Sequence, residues 1–256
     1  MAHARARLVG VFAAHQTTVL LGVTFVLLWE VLARSVGLSL NIFPPPSWVI
    51  WSLHVRFDLL IEHAWSTFYL TIAGFLISVV VGVAIGWLIS KSRLLYDALY
   101  PLTVILQVVP KEALAPMLVL WFGAGVLSRM ILAFLIAFFP MVINTILGVR
   151  SLEANVHRYT TSLSCGWWDL FLKVELPWAL PAIFAGMKIS VTLAVIGVVV
   201  AEIVAGRSGL GYLLLFASSR RDMGFSLAIL LILAIWGGAL FGAVVLLERR
   251  AIYWRR

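Results

Sequence analysis

Six stretches of this chain, at about residues 17–36, 64–90, 94–122, 129–148, 181–204 and 226–247, run on with hardly an interrupting charge. Their length constrains the fold more than any motif does. An α-helix rises about 1.5 Å per residue, so about 20 apolar residues cross the roughly 30 Å hydrocarbon core of a bilayer. In lipid every backbone N–H and C=O must be satisfied internally, which leaves only helices and closed barrels. Barrel strands would alternate apolar and polar residues over about ten positions, and these runs do not alternate. Composition agrees: 63% of residues are hydrophobic and 12% charged, against about 45–50% and 25% in soluble domains. The expected fold is an all-α integral membrane protein with six transmembrane helices. A leader at 1–16 precedes the membrane domain at 17–248, and a basic tail follows at 249–256.

The net charge of +8 and the pI near 10.2 come from basic residues at the ends of apolar runs, a common pattern in multi-span proteins. No compact basic run is interleaved with stacking aromatics, so no nucleic-acid partner is expected. Cys165 is the single cysteine, which excludes an intrachain disulfide. His3, His15, His54, His63 and His157 lack ligand spacing, so no metal site is expected. The chain contains no G-x4-G-K-[ST], H-E-x-x-H or G-x-S-x-G. It has no loop to cradle nucleotide phosphates, and no cofactor is expected in it. Arg5 and Arg7 precede a long apolar run without a convincing cleavage site, which reads as a retained first span rather than a signal peptide.

The connecting segments carry the detail. Pro44-Pro45-Pro46 cannot continue a helix, and Ser47 is expected to cap a new, interfacial one bearing Trp48 and Trp51. In the second span Gly74, Ser78, Gly82, Gly86 and Ser90 recur every four residues, which predicts a face that lets another backbone approach closely. The third run is interrupted by Pro101, Pro110, Lys111, Glu112 and Pro116. Broken backbone with ionisable groups at membrane depth is tolerated where it lines a cavity or is buried in protein. It reads as a pathway or gate segment, with a short interfacial re-entrant turn as the other reading. Ser128 is placed as the cap of the fourth span, in which Pro140 offers a kink and Asn144 a polar group facing the bundle. The fifth span carries Lys188 and Glu202, and the sixth a second GxxxG at Gly238 and Gly242.

Basic residues set the orientation. Arg5, Arg7, Lys91, Arg93, Arg150, Arg158, Lys173, Arg249, Arg250, Arg255 and Arg256 fall on one side, and Arg34, Arg56, Arg129, Arg207, Arg220 and Arg221 on the other. The richer side is expected in the cytoplasm, with both termini. The segment 149–180 lies on that side. It has too many charges for a bilayer core, yet carries Trp167, Trp168, Leu170 and Phe171, an apolar knob of the kind that marks a docking surface.

The end of this segment, Val174-Glu175-Leu176-Pro177, resembles the close of the pattern E-A-A-x3-G-x9-I-x-L-P, carried by a cytoplasmic loop in type I permease subunits of bacterial ABC importers. Counting back, the family's glycine falls at Ser164, its second alanine at Thr160 and its glutamate at Arg158, so the start of the pattern departs from the family. PPPS, VPKEALAPMLVLWFGAG, FFPMVINTILGVRS, LPAIFAGMKIS and VVAEIVAGRSGLGYLL are similar to the nitrate/sulfonate/taurine branch. The likeness covers most of Phe43 to Leu214.

That resemblance implies a type I permease fold in the bacterial inner membrane, with a cytoplasmic coupling helix between spans 4 and 5. The chain would be a non-enzymatic subunit, paired with a second copy and bound to two ATPase subunits that hold ATP and Mg. An extracytoplasmic binding protein would deliver a sulfonate-, nitrate- or taurine-like anion, an aromatic acid or a vitamin-precursor-like compound. Arg158, Tyr159, Ser162, Leu163, Ser164, Cys165, Gly166, Trp167, Trp168, Leu170, Phe171 and Pro177 are expected to contact the ATPase. Ser162 or Ser164 would cap the coupling helix, and Pro177 and Pro181 would stiffen its exit. Lys111, Glu112, Phe139, Asn144 and Glu202 are expected to line or gate the path, and Arg220, Arg221 and Asp222 to meet the binding protein. Two other function classes fit the chain less well. An ATP-independent carrier would commonly show inverted repeats, which are not seen, and a membrane-embedded enzyme would need its acid–base groups clustered.

Overall fold

A computed structural model describes residues 2–37, 39, 41–152 and 166–253, with side chains for all of these except 2–16, 18 and 167. Every regular element among them is helical. In chain order they are α1 (Ala2–Ser35), α2 (Pro46–Val55), α3 (Phe57–Lys91), α4 (Arg93–Val108), a 3-10 turn (Lys111–Leu114), α5 (Ala115–Phe122), α6 (Val126–Arg150), α7 (Trp167–Leu170), α8 (Leu176–Ala205), α9 (Leu210–Ser219) and α10 (Met223–Ala251). A π-helical turn, Phe171–Glu175, joins α7 to α8. Four stretches of helix are long and apolar enough to cross a membrane: Phe57–Lys91, Val126–Arg150, Trp168–Ala205 and Met223–Ala251. The pair Arg93–Val108 and Lys111–Phe122, bent by 78°, supplies a fifth if counted as one broken span. The first expected span, 17–36, falls on α1.

The core is a layer of three helices with α6 in the middle. On α3 the small residues Gly74, Ser78, Gly82 and Gly86 are all buried, and they meet α6 turn by turn. A Cβ added at Gly74 would lie 2.7 Å from the Cβ of Ala133, at Gly82 2.6 Å from that of Met141, and at Gly86 2.7 Å from that of Thr145. On the other side of α6, Gly186 of α8 faces Asn144 and Gly197 faces the backbone of Ala133, while Gly148 faces Ala179 and Ala182. Ser190 of α8 donates to the Ala137 carbonyl at 2.7 Å. Lipid offers no hydrophobic drive between helices, so such close van der Waals approach is what binds them. The second GxxxG behaves differently: a Cβ at Gly238 or Gly242 would meet nothing within 4 Å among the described residues.

Two local expectations change. The proline run starts α2 with Pro45 at the N-cap position and no side-chain cap. Ser47 instead turns back to α1, where its hydroxyl donates to Glu30 Oε1 at 2.8 Å and its N–H to Oε2 at 3.0 Å. Glu30 is held in turn by Arg34, and the pair fastens α1 to α2. The fourth span starts three residues earlier than a Ser128 cap would give: Gly125 is the N-cap, and Ser128 donates to its carbonyl at 3.1 Å. The third run is broken at Pro110, which cannot donate to a continuing helix.

Candidate functional site

The knob of the loop can be built from Gly166 onward. Arg158, Tyr159, Ser162, Leu163, Ser164 and Cys165, including both expected caps, lie outside the described residues, as does the side chain of Trp167. Gly166 is exposed. Trp168 is 55% exposed and Leu172 54%, side by side on a short helix whose solvent face carries the Asp169–Lys173 ion pair. Leu170 and Phe171 are half-buried. Phe171 turns inward, its ring 4.5 Å from that of Trp87 on α3. Leu172 therefore takes the outward place that the sequence alone assigned to Phe171.

Directly behind the knob lies Glu175, 4% exposed. Trp87 Nε1 donates to its Oε2 at 2.8 Å, and Lys91 Nζ to its Oε1 at 2.6 Å. Both donors sit in the last two turns of α3. A buried carboxylate is tolerable only when paired and hydrogen-bonded in this way. Pro177 stands in the first turn of α8, directly after the π-helical turn. Next to it Trp178 Nε1 donates to Ser151 Oγ at 3.2 Å, and Arg150 lies 3.6 Å over the Tyr96 ring of α4. One end of the bundle thus gathers the ends of α3 and α6 and the starts of α4 and α8.

In the broken segment Lys111 is 9% exposed. Its Nζ donates to the carbonyls of Gln107 and Val109 at 2.9 and 3.3 Å, satisfying acceptors that the break at Pro110 leaves open, and it sits 4.9 Å over the ring of Phe139. Lys111 and Phe139 are therefore brought together; Glu112 is half-buried beside them. Asn144, on α6, donates to Pro140 O in its own helix and packs against Gly186.

Glu202, expected to line or gate the path, stands apart from Lys111 and Phe139, inside the bundle. It is fully buried. The Thr67 hydroxyl donates to its carboxylate at 2.9 and 3.0 Å, and Gly211 N–H at 2.9 Å. Thr67 Oγ1 accepts from Leu210 N–H at 2.8 Å, and His63 Nδ1 from Gly209 N–H at 3.0 Å. Arg129 reaches to 4.0 Å from the carboxylate while donating to Ser208 O and Gly125 O. The tight turn Gly206–Gly211 is wrapped round this group, and Gly209, at φ 108°, leaves no room for a side chain. Glu202 is a pin between α3, α8 and α9.

Arg220 and Arg221 are exposed at the α9–α10 turn, Arg221 with φ 58°. Asp222 faces inward: it caps α10 by accepting from Phe225 N–H at 3.1 Å and pairs with Arg56 at 2.6 Å. Arg56, Arg220 and Asp222 line, with Phe216 and Leu59, a cleft of about 220 Å³. Thr67, Arg56, Trp87 and Lys91 were not singled out from sequence, because their partners lie 84 to 166 residues away.

Residues 74–253 match the model of the binding-protein-dependent transport system inner membrane component family. The chain belongs to that family. A probable ABC transporter permease protein of Haemophilus influenzae is 34% identical over 227 residues, covering 89% of this chain and 93% of the relative. A putative aliphatic sulfonates transport permease protein, SsuC, of Bacillus subtilis is 32% identical over 238 residues, 92% of this chain and 86% of its own length. Among solved structures, an inward-facing MetNI methionine ABC transporter superposes with a TM-score of 0.69 at 17% identity, covering 77% of this chain and 97% of the matched one; it shares the type I importer permease fold. This family member is a multi-pass permease subunit of binding-protein-dependent ABC import, and ATP hydrolysis belongs to a separate subunit.

Proposed function

We propose that two copies of this permease form the translocation path, that the knob around Trp168 and Leu172 seats in an ATPase subunit, and that a sulfonate-type anion is carried. The observation that carries the reading is the exposed Trp168–Leu172 pair, held out from the bundle on a helix whose root, Glu175, is buried and bound. An exposed aromatic and aliphatic pair with a rigid base has the character of an interface anchor. Lys91, Arg93, Arg150, Lys173 and Arg249 border the same loop or end the neighbouring helices, which supports placing it in the cytoplasm. Lys111, beside Phe139 at the break, is the group assigned to the path. The substrate class follows the Bacillus subtilis relative's name.

Affinity purification from the native host tests the reading. A P-loop ATPase at about one per chain should accompany the unaltered protein and be lost from Trp168→Glu/Leu172→Glu, both exposed positions whose change leaves the core intact. Retention of the ATPase by that variant moves the contact elsewhere. For the substrate, alkanesulfonates should raise the melting temperature of the cognate binding protein, whereas stabilisation by pyrimidines alone assigns a heterocycle.

A further inference from the structure

We infer that Glu175 is a positioning residue that fastens the knob to α3, so that α3 moves with it as one body. The inference rests on the proposed ATPase contact and adds to it the element that receives the push. The peptide chain already joins the knob to α8, as one helical run from Trp168 to Ala205. Side chains make a second, independent joint. Both carboxylate oxygens of Glu175 accept charge-assisted or indole hydrogen bonds, and both donors, Trp87 and Lys91, belong to α3. Phe171 lies on the same side, 4.5 Å from the Trp87 ring, and Trp168 reaches Phe171 at 6.0 Å. A continuous line of rings therefore runs from the exposed knob to α3.

The joint sits in the π-helical turn. Leu176 N–H bonds to Phe171 O across five residues, and Phe171 and Glu175, four apart within this turn, both meet Trp87 of α3; single π turns of this kind recur at functional positions. From there α3 is joined to α6 by the close approaches at Gly74, Gly82 and Gly86. A displacement of the knob thus enters the α3–α6 pair as well as α8.

The test uses the complex purified with its ATPase. Cys165→Ser removes the native thiol, nitroxide labels are placed at Leu88 of α3 and Asp169 of the knob, both exposed, and labelled chain is diluted with unlabelled chain so that the distance read lies within one chain. The label-to-label distance should be a single narrow peak, unshifted between nucleotide-free and ATP–vanadate-trapped states. Lys91→Arg should keep that peak. Lys91→Met/Glu175→Gln should add a second, nucleotide-dependent distance. A shift in the otherwise unaltered protein, or a double variant that matches it, overturns the inference while the ATPase in the same preparation upholds the functional reading. Absence of the ATPase overturns both.

Discussion

At the scale of single residues, two buried carboxylates organise the two ends of the bundle. Glu202 was visible in the sequence as a charge within an apolar run, and such a residue reads by default as part of a pathway. What sequence could not supply was its partner, since Thr67 lies 135 residues earlier. The network gives a direct expectation. Thr67→Val deletes the hydroxyl that donates to the carboxylate and accepts from Leu210, leaving buried groups unpaired at a cost of about 1–3 kcal/mol. Gly209→Ala places a Cβ against the Glu202 carboxylate in a backbone conformation that disfavours it. Both variants should melt below the parent in detergent, while Thr67→Ser stays close to it. Glu175 was quoted only as the variable position of a motif, and nothing local announced that Lys91 and Trp87 would hold it.

At the scale of elements, the four-residue ladder of α3 was the most legible feature, because a helix places every fourth residue on one face and close packing selects small ones. The same rule applied to Gly238 and Gly242 finds a face without a neighbour among the described residues. The two therefore respond differently. Gly82→Leu overpacks the α3–α6 contact at a cost of about 1–3 kcal/mol or more and should lower the melting temperature or the yield of folded protein. Gly238→Leu should leave the thermal stability of the chain unchanged; an equal loss in both would contradict the packing described. The break in the third run was legible from its prolines, whereas the capping serines were not. Ser47 and Ser128 each had a competing partner, Glu30 and the Gly125 carbonyl, that a cap rule cannot weigh.

At the scale of the whole molecule, charge placement separates the ends. Arg220 and Arg221 project at the α9–α10 turn, while Asp222 is engaged with Arg56. Arg220→Glu/Arg221→Glu should slow association of the binding protein and flatten its salt dependence, as expected for rim charges; unchanged affinity removes these residues from the docking surface. The membrane class and the family were legible because long apolar runs and the Val174–Pro177 ending are local. Helix partnership was not, since it depends on pairs far apart in the chain. One consequence concerns handling of the protein. The layer of α3, α6 and α8 is held by backbones in contact, so stripping lipid removes little of what binds it, while α1 is joined to α2 through the polar link of Glu30, Arg34 and Ser47. During delipidation with short-chain detergents, α1 should become open to proteases first, and the three-helix layer should survive as the last resistant fragment.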